Sequence, residues 1–183
     1  MERFKKKWIL IDTNLLISIS RYSELGFFDE FLRQLEELKI IPVIEQATLF
    51  EFRRGSRHKG DLEAKKNFLE ILLGEEKNRY VLPSSTSKEI LTNAEELAIL
   101  YSNKNPNLSK QVSFVDCLVG AQLMKYKENL CLATLDNGDY PLFIFDRVKL
   151  ITIDAQKEII NIGIYIFNEE KYTKCKDDFE KTK

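Results

Sequence analysis

Four acidic side chains have the type and spacing to do chemistry together. Asp12 follows an apolar run at 8–11, and Glu51 lies on the stretch after an apolar run at 40–43. Asp116 comes shortly after Ser113 at the start of a small and apolar stretch, and Asp136 follows the run at 130–134. Each also has a purely structural reading. Asp12 fits the N-cap of a helix beginning near Leu15, and Ser113 with Asp116 fits a capping box. Asp136-Asn137-Gly138-Asp139 is good turn chemistry, and Glu51 fits a solvated helix position. Gathered in one place, the acids acquire a different chemistry. Two carboxylates about 4 Å apart repel by roughly 4 kcal/mol at an effective dielectric near 20, so a shared cleft keeps them all ionised only beside a cation. Hard divalent ions such as Mg²⁺ or Mn²⁺ prefer oxygen ligands of this kind. Such ions supply an activated water and stabilise the leaving oxygen of a phosphodiester.

Strands alternating with helices must position these groups. The continuous apolar run that stops at Asp12 predicts a buried strand over 7–12. Phe28, Phe31, Leu32, Leu35 and Leu38 recur at helical spacing. A short strand at 40–43 leads into a helix that Gly55 stops. A helix is expected over 61–73, then a short strand at 80–82 and a helix marked by Ile90, Ala94, Leu97, Ala98 and Tyr101. Residues 102–112 are loop-like, and a helix runs from Ser113 to about Tyr126. Strands follow at 130–134 and 148–153, with a helix expected from about Ala155. Residues 169–183 are mostly charged and are expected to be a peripheral or frayed tail. The alternation predicts the α/β class, with a central parallel sheet covered by helices on both faces. Ligands of such sheets bind beyond the carboxyl ends of the strands, where Asp12 and Asp136 fall.

Composition narrows the function classes. Of 183 residues, 44% are hydrophobic and 31% charged, the balance of a folded globular chain rather than a disordered or membrane-embedded one. No apolar run is long enough to cross a bilayer, and the one after Lys5-Lys6-Lys7 meets Asp12 before it reaches signal-peptide length. A cytoplasmic location with no membrane partner is expected. Cys117, Cys131 and Cys175 are odd in number and lack CxxC spacing, which predicts free thiols and no zinc site. A net charge of −1 means that nucleic-acid binding must come from a local basic patch or from bound cations.

The acidic motifs together resemble a known family, the PIN domains. Ile-Leu-Ile-Asp12-Thr13-Asn14 resembles their opening strand and first acid, and Thr48-Leu-Phe-Glu51-Phe-Arg-Arg-Gly55 their second acidic motif. Phe114-Val-Asp116-Cys-Leu-Val-Gly-Ala121 resembles the third, and Leu132-Ala-Thr134-Leu-Asp136-Asn-Gly-Asp139 the fourth. The match runs over about 7–153. It implies a single Rossmann-like PIN domain over 1–168, with 169–183 as a charged C-terminal tail. It also implies Mg²⁺- or Mn²⁺-dependent hydrolysis of RNA, leaving 5′-phosphate and 3′-hydroxyl ends. By the same resemblance Asp12, Glu51, Asp116 and Asp136 are the catalytic and metal-holding residues, with Asp139 the alternative to Asp136. Thr13, Asn14 and Thr134 are implied as supporting or substrate contacts. Many members are toxins of toxin–antitoxin pairs, the VapC-like group, and that subgroup implies an antitoxin protein and a homodimer as partners. The chain is longer than compact toxin-type members, between Gly55 and Ser113 and beyond Ile153.

Other features divide between function and structure. Arg53, Arg54, Arg57, His58 and Lys59 fit a grip on RNA phosphates or favourable cations at a helix end. Cys117 turns about 100° from Asp116 along a helix, which predicts a packed residue. Phe27, Phe28 and Phe31 are expected in the core. The main enzymatic rival, a haloacid-dehalogenase-type phosphotransferase, typically has a second aspartate where Asn14 stands. A receiver domain needs neighbouring acids that the lysines before Asp12 replace, and no GxGxxG or GxxxxGK is present. The non-enzymatic alternative is a catalytically inactive PIN-like module that binds RNA or protein.

Overall fold

The computed structural model describes residues 8–21, 26–54, 56, 58–73, 81–82, 87–105, 112–136, 138–154 and 159–181. In chain order its elements are β1 (Trp8–Ile11), α1 (Thr13–Arg21), α2 (Phe27–Glu37), β2 (Ile41–Glu45), α3 (Gln46–Arg54), α4 (Lys59–Leu73) and β3 (Val81–Leu82). Then come α5 (Lys88–Lys104), α6 (Phe114–Tyr126), β4 (Leu130–Thr134), β5 (Phe145–Asp154), β6 (Ile159–Phe167) and α7 (Glu169–Lys181). A 3₁₀ turn at Lys127–Asn129 joins α6 to β4.

The two-residue period of the strands separates the core into two faces. Ile9 and Ile11 of β1 enter a cluster with Leu15, Leu16 and Ile19 of α1, Phe31 and Leu35 of α2, and Leu49 and Phe52 of α3. Leu10, between them, enters the opposite cluster with Leu97, Leu100 and Tyr101 of α5 and Val119 and Leu123 of α6. Phe31 is fully buried, as expected; the side chains of Phe27 and Phe28 lie outside the described ones. Helices therefore cover both faces of the sheet.

The sheet has six strands in the order β3-β2-β1-β4-β6-β5. β1 pairs in parallel with both β2 and β4, and β2 pairs in parallel with β3. The chain moves outward from β1 to β3 on one side and returns to lay β4 on the other. Strand order thus reverses between β1 and β4, the arrangement that opens a crevice at the carboxyl ends of a doubly wound sheet. Residues 80 and 55, given above to a strand and a helix stop, lie outside the described residues.

Two expectations are corrected. The segment expected to form a helix from about Ala155 is the strand β6 from Ile159 on, residues 155–158 lying outside the described ones. It pairs antiparallel with both β4 and β5, so the sheet is mixed: a parallel core extended by a hairpin. Ile160, Ile162, Ile164 and Ile166 alternate along β6, and branched side chains at that period favour a pleated, packed strand over a helix. The other correction concerns 169–183, where Glu169–Lys181 forms a docked helix. Its charged sequence hides a stripe, Tyr172, Cys175 and Phe179, that packs on the cluster holding Leu97 and Tyr101. Glu96 of α5 accepts bonds from the Tyr172 hydroxyl and from Lys176 Nζ (2.6 Å). Exposed ion pairs such as Lys104–Asp178 (3.1 Å) contribute little, so the stripe is the main attachment. Among the described residues no helix is long and apolar enough to cross a membrane.

The helix that carries Asp116 is held close to its neighbour at Gly120. A Cβ there would stand 2.8 Å from Leu97 Cδ1 and 3.4 Å from Phe145 Cζ. Gly120→Val should overpack this contact and lower stability by about 1–3 kcal/mol, read as a lower urea midpoint with an unchanged slope.

Candidate active site

Asp12 is placed by backbone pairing and then locked by side chains. Its amide donates to Ala133 O at 3.1 Å, extending the β1–β4 ladder, and its carbonyl accepts from Leu16 N at 2.9 Å, opening α1. The residue is 3% exposed. Its Oδ1 accepts from the Thr13 amide at 2.7 Å and its Oδ2 from the Thr134 hydroxyl at 2.7 Å. The Thr134 oxygen in turn accepts from Asp136 N at 3.0 Å and Asn14 Nδ2 at 3.2 Å. Those two donors occupy its lone pairs, so its one proton is directed to Asp12. Asn14 Oδ1 accepts from Leu135 N at 3.1 Å, which ties α1 to the end of β4.

The other acids are aimed by the same kind of local bond. Glu45, buried at the end of β2, accepts from the Ala47 and Thr48 amides (Thr48 at 3.3 Å) and caps α3. Glu51, farther along α3, accepts from the Thr13 hydroxyl at 2.9 Å. Asp116 forms a capping box with Ser113: its Oδ2 accepts from Ser113 N at 2.7 Å, and its own amide donates to Ser113 Oγ at 3.2 Å. Asp136 Oδ1 accepts from Gly138 N at 2.8 Å, closing the turn. The structural readings of Asp116 and Asp136 therefore hold, and Asp12 stands immediately before α1, which begins at Thr13 rather than near Leu15. These bonds do not compete with a shared role, because each fixes the direction of a carboxylate.

The electrostatics record the convergence. Burial pushes Asp12 up to about 6, opposed by the Thr134 bond and reinforced by the charge of Asp116 and then Glu51. Burial also raises Asp116, opposed by Ser113 and reinforced by Glu51 and Asp136. Asp139 is pushed up to about 7 by burial and then by Asp116, Asp136 and Asp12. The structure thus brings all four expected acids within electrostatic range, and brings Asp139 with them rather than in place of Asp136. Tyr140 anchors the loop that carries both, packed edge-on to Phe145 (5.8 Å between ring centres) and against Tyr165 (6.0 Å).

Two further groups lie under the cluster, and the sequence marks neither. The hydroxyls of Tyr101 and Tyr140 are buried with no hydrogen-bond partner among the described residues. Burial raises both well above their ordinary range, helped by Asp12 and Asp116 at Tyr140 and by Cys117 and Asp116 at Tyr101. Both therefore stay protonated beneath the acids.

The donor set is all oxygen, which fits a hard divalent cation and not a zinc-type site. Among the described residues no three His, Cys, Asp or Glu side chains form a ready-made coordination group. Of the basic cluster, Arg53 and Arg54 end α3 and, with His58 and Lys59, are exposed; Arg57 lies outside the described residues. Cys117 packs with Leu118 and Ala121, and burial followed by the Asp116 charge pushes its thiol up to about 11.

A family model described as PIN domain matches residues 9–143. No curated protein and no solved structure matches the chain.

The raised acids give stability a definite pH dependence. Between the ordinary carboxylate value of 3.8 and the folded values of about 6 for Asp12 and about 7 for Asp139, the folded chain holds more protons than the unfolded one. Stability in EDTA should therefore fall as pH rises from about 4 to about 7. Urea midpoints measured across that range check the sign, and Asp12→Asn should flatten the slope.

Proposed function

The chain belongs to the PIN-domain family, and from that premise we propose that it is an Mg²⁺- or Mn²⁺-dependent endoribonuclease. PIN domains are a nuclease-type fold that typically works with divalent metals. The observation that carries the reading is the convergence of Asp12, Glu51, Asp116, Asp136 and Asp139 at the point where strand order reverses, with three of them raised by burial and by one another. A bound cation relieves the repulsion among partly buried carboxylates of this kind.

In this reading those acids hold the ion, which when bound supplies water activation and charge stabilisation at the phosphodiester. Thr134 and the Thr13 amide keep Asp12 turned toward the cleft as a carboxylate, because both present it with donors. The Thr13 hydroxyl does the same for Glu51. Arg53 and Arg54, exposed at the end of α3, take neighbouring phosphates of the strand. Cys117 is held as a protonated thiol, which argues for direct hydrolysis without a covalent enzyme intermediate. The family resemblance implies products with 5′-phosphate and 3′-hydroxyl ends.

Labelled single-stranded RNA incubated with Mn²⁺, Mg²⁺ or EDTA tests the reading. Cleavage should need the metal, and Thr134→Val should slow it by roughly 10–100-fold, the usual cost of losing a group that orients a metal ligand. Asp12→Asn should cost more than that. Products ending in 2′,3′-cyclic phosphate, or metal-independent cleavage, would overturn it. Reversing the charge of Arg53 and Arg54 should weaken RNA binding and flatten its salt dependence. The narrower role, toxin of a toxin–antitoxin pair with an antitoxin and a second copy as partners, predicts growth arrest on expression that Asp12→Asn relieves.

A further inference from the structure

We propose that Tyr101 and Tyr140 are positioning residues for the acidic cluster: through an enclosed water their hydroxyls donate to its inner carboxylate oxygens, those of Asp116 above all, and tighten the hold on a divalent ion. This role rests on the reading that the acids bind such an ion, and it adds the donors that support them from below.

Tyr101 and Tyr140 are 1% and 0% exposed, and neither hydroxyl has a hydrogen-bond partner among the described residues. The Tyr101 oxygen lies 3.9 Å from where a Cβ on Gly120 would stand. Gly120 is one turn beyond Asp116 on the same face of α6, and helical side chains lean toward the N-terminus. The space that Gly120 leaves open therefore faces Asp116, and the Tyr101 hydroxyl stands beside it. Asp116, Cys117 and Gly120 surround one spot on the helix, and Cys117 and Asp116 are the two ionisable groups that act most strongly on Tyr101. Tyr140 approaches the same spot from the loop. Its ring is fixed by Phe145 and Tyr165, and its hydroxyl feels Asp12, Asp116, Tyr101 and Asp139. Two phenols thus meet beneath three acids.

Chemistry sets the direction of the bonds. A protonated phenol has one proton to give, and a carboxylate only accepts. Thr13 and Thr134 already bond both oxygens of Asp12, whereas the Ser113 amide takes Oδ2 of Asp116 and leaves Oδ1 to another donor. A buried hydroxyl left alone costs free energy, and packing by itself would be met by phenylalanine at both positions. Enclosed water is the common partner of buried polar groups that no protein atom reaches, and it makes about three bonds. Two hydroxyls and one carboxylate supply that number. Donors held there favour the charged carboxylate, the form that binds a cation.

Mn²⁺ binding to the full chain, read from the EPR signal of the free ion, and urea midpoints in EDTA test this role. Tyr101→Phe and Tyr140→Phe should each weaken Mn²⁺ binding by roughly 10–100-fold, the usual cost of losing a group that supports a metal ligand. In EDTA each should lower the urea midpoint. The loss should shrink in an Asp116→Asn background, where the acceptor has no charge but keeps an oxygen for the Ser113 amide. Ile162→Val, a core change in the opposite cluster, should lower the midpoint and leave Mn²⁺ affinity unchanged. Unchanged Mn²⁺ affinity in both phenylalanine variants would overturn the role, as would the raised midpoints expected on removing unsatisfied hydroxyls. So would midpoint losses that ignore the Asp116 charge, or an affinity loss as large in Ile162→Val, since each means a general loosening. No Mn²⁺ binding by the unmodified chain removes the metal-holding reading itself, and the role with it. Binding that both phenylalanine variants keep removes the role alone.

Discussion

The parallel pairing of β1 with β4 is the constraint on which the site depends. Its register sets Ile11 beside Ala133, so Asp12 and Thr134 emerge together and their side chains meet at 2.7 Å. A slip of one residue would turn one of the two side chains to the opposite face of the sheet and part them. Because strand order reverses at this pair, the connections leave in opposite directions and keep the carboxyl ends of the strands uncovered. α3 reaches the cleft from β2 and α6 from the other face, each bringing an acid to a place already defined by Asp12.

The site is assembled against its own electrostatics. Raising Asp12, Asp116 and Asp139 means that the folded chain carries charge at a cost the unfolded chain does not bear. The tolerance comes from local bonds that also build the fold: the Thr13 amide and Thr134 hydroxyl on Asp12, the Ser113 box on Asp116, and the Gly138 amide on Asp136. Capping and the proposed metal-holding role are therefore not rival explanations for these residues. A cap fixes a carboxylate's direction, and a metal site needs carboxylates whose directions are fixed.

Elements away from the cleft hold it in place. The β5–β6 hairpin extends the parallel core past β4 and contributes Tyr165 and Phe145, against which Tyr140 is packed. That packing pins the loop carrying Asp136 and Asp139. α7 covers the far side of α5 through Tyr172 and Cys175, and α5 in turn presses on Gly120 of α6. The support for Asp116 thus reaches from the end of the chain through two layers of helix.

By itself the sequence determined the α/β class, the ends of β1 and β4, and which acids to look for there. Apolar runs that stop at a polar residue are legible where a buried strand meets a cleft, as at Ile11-Asp12 and Ala133-Thr134. It did not determine β6 or α7. The isoleucine alternation at 160–166 competed with the expectation of a helix between strands, and the stripe of Tyr172, Cys175 and Phe179 was masked by the charges between them. Only the tertiary structure decided that Asp139 stands with Asp136, because Tyr140 must be buried to turn that loop inward. Only it revealed the buried hydroxyls of Tyr101 and Tyr140 under the acids. Those facts depend on which faces of separate helices meet, and helical period orients a residue on its own helix without naming the neighbour it will face.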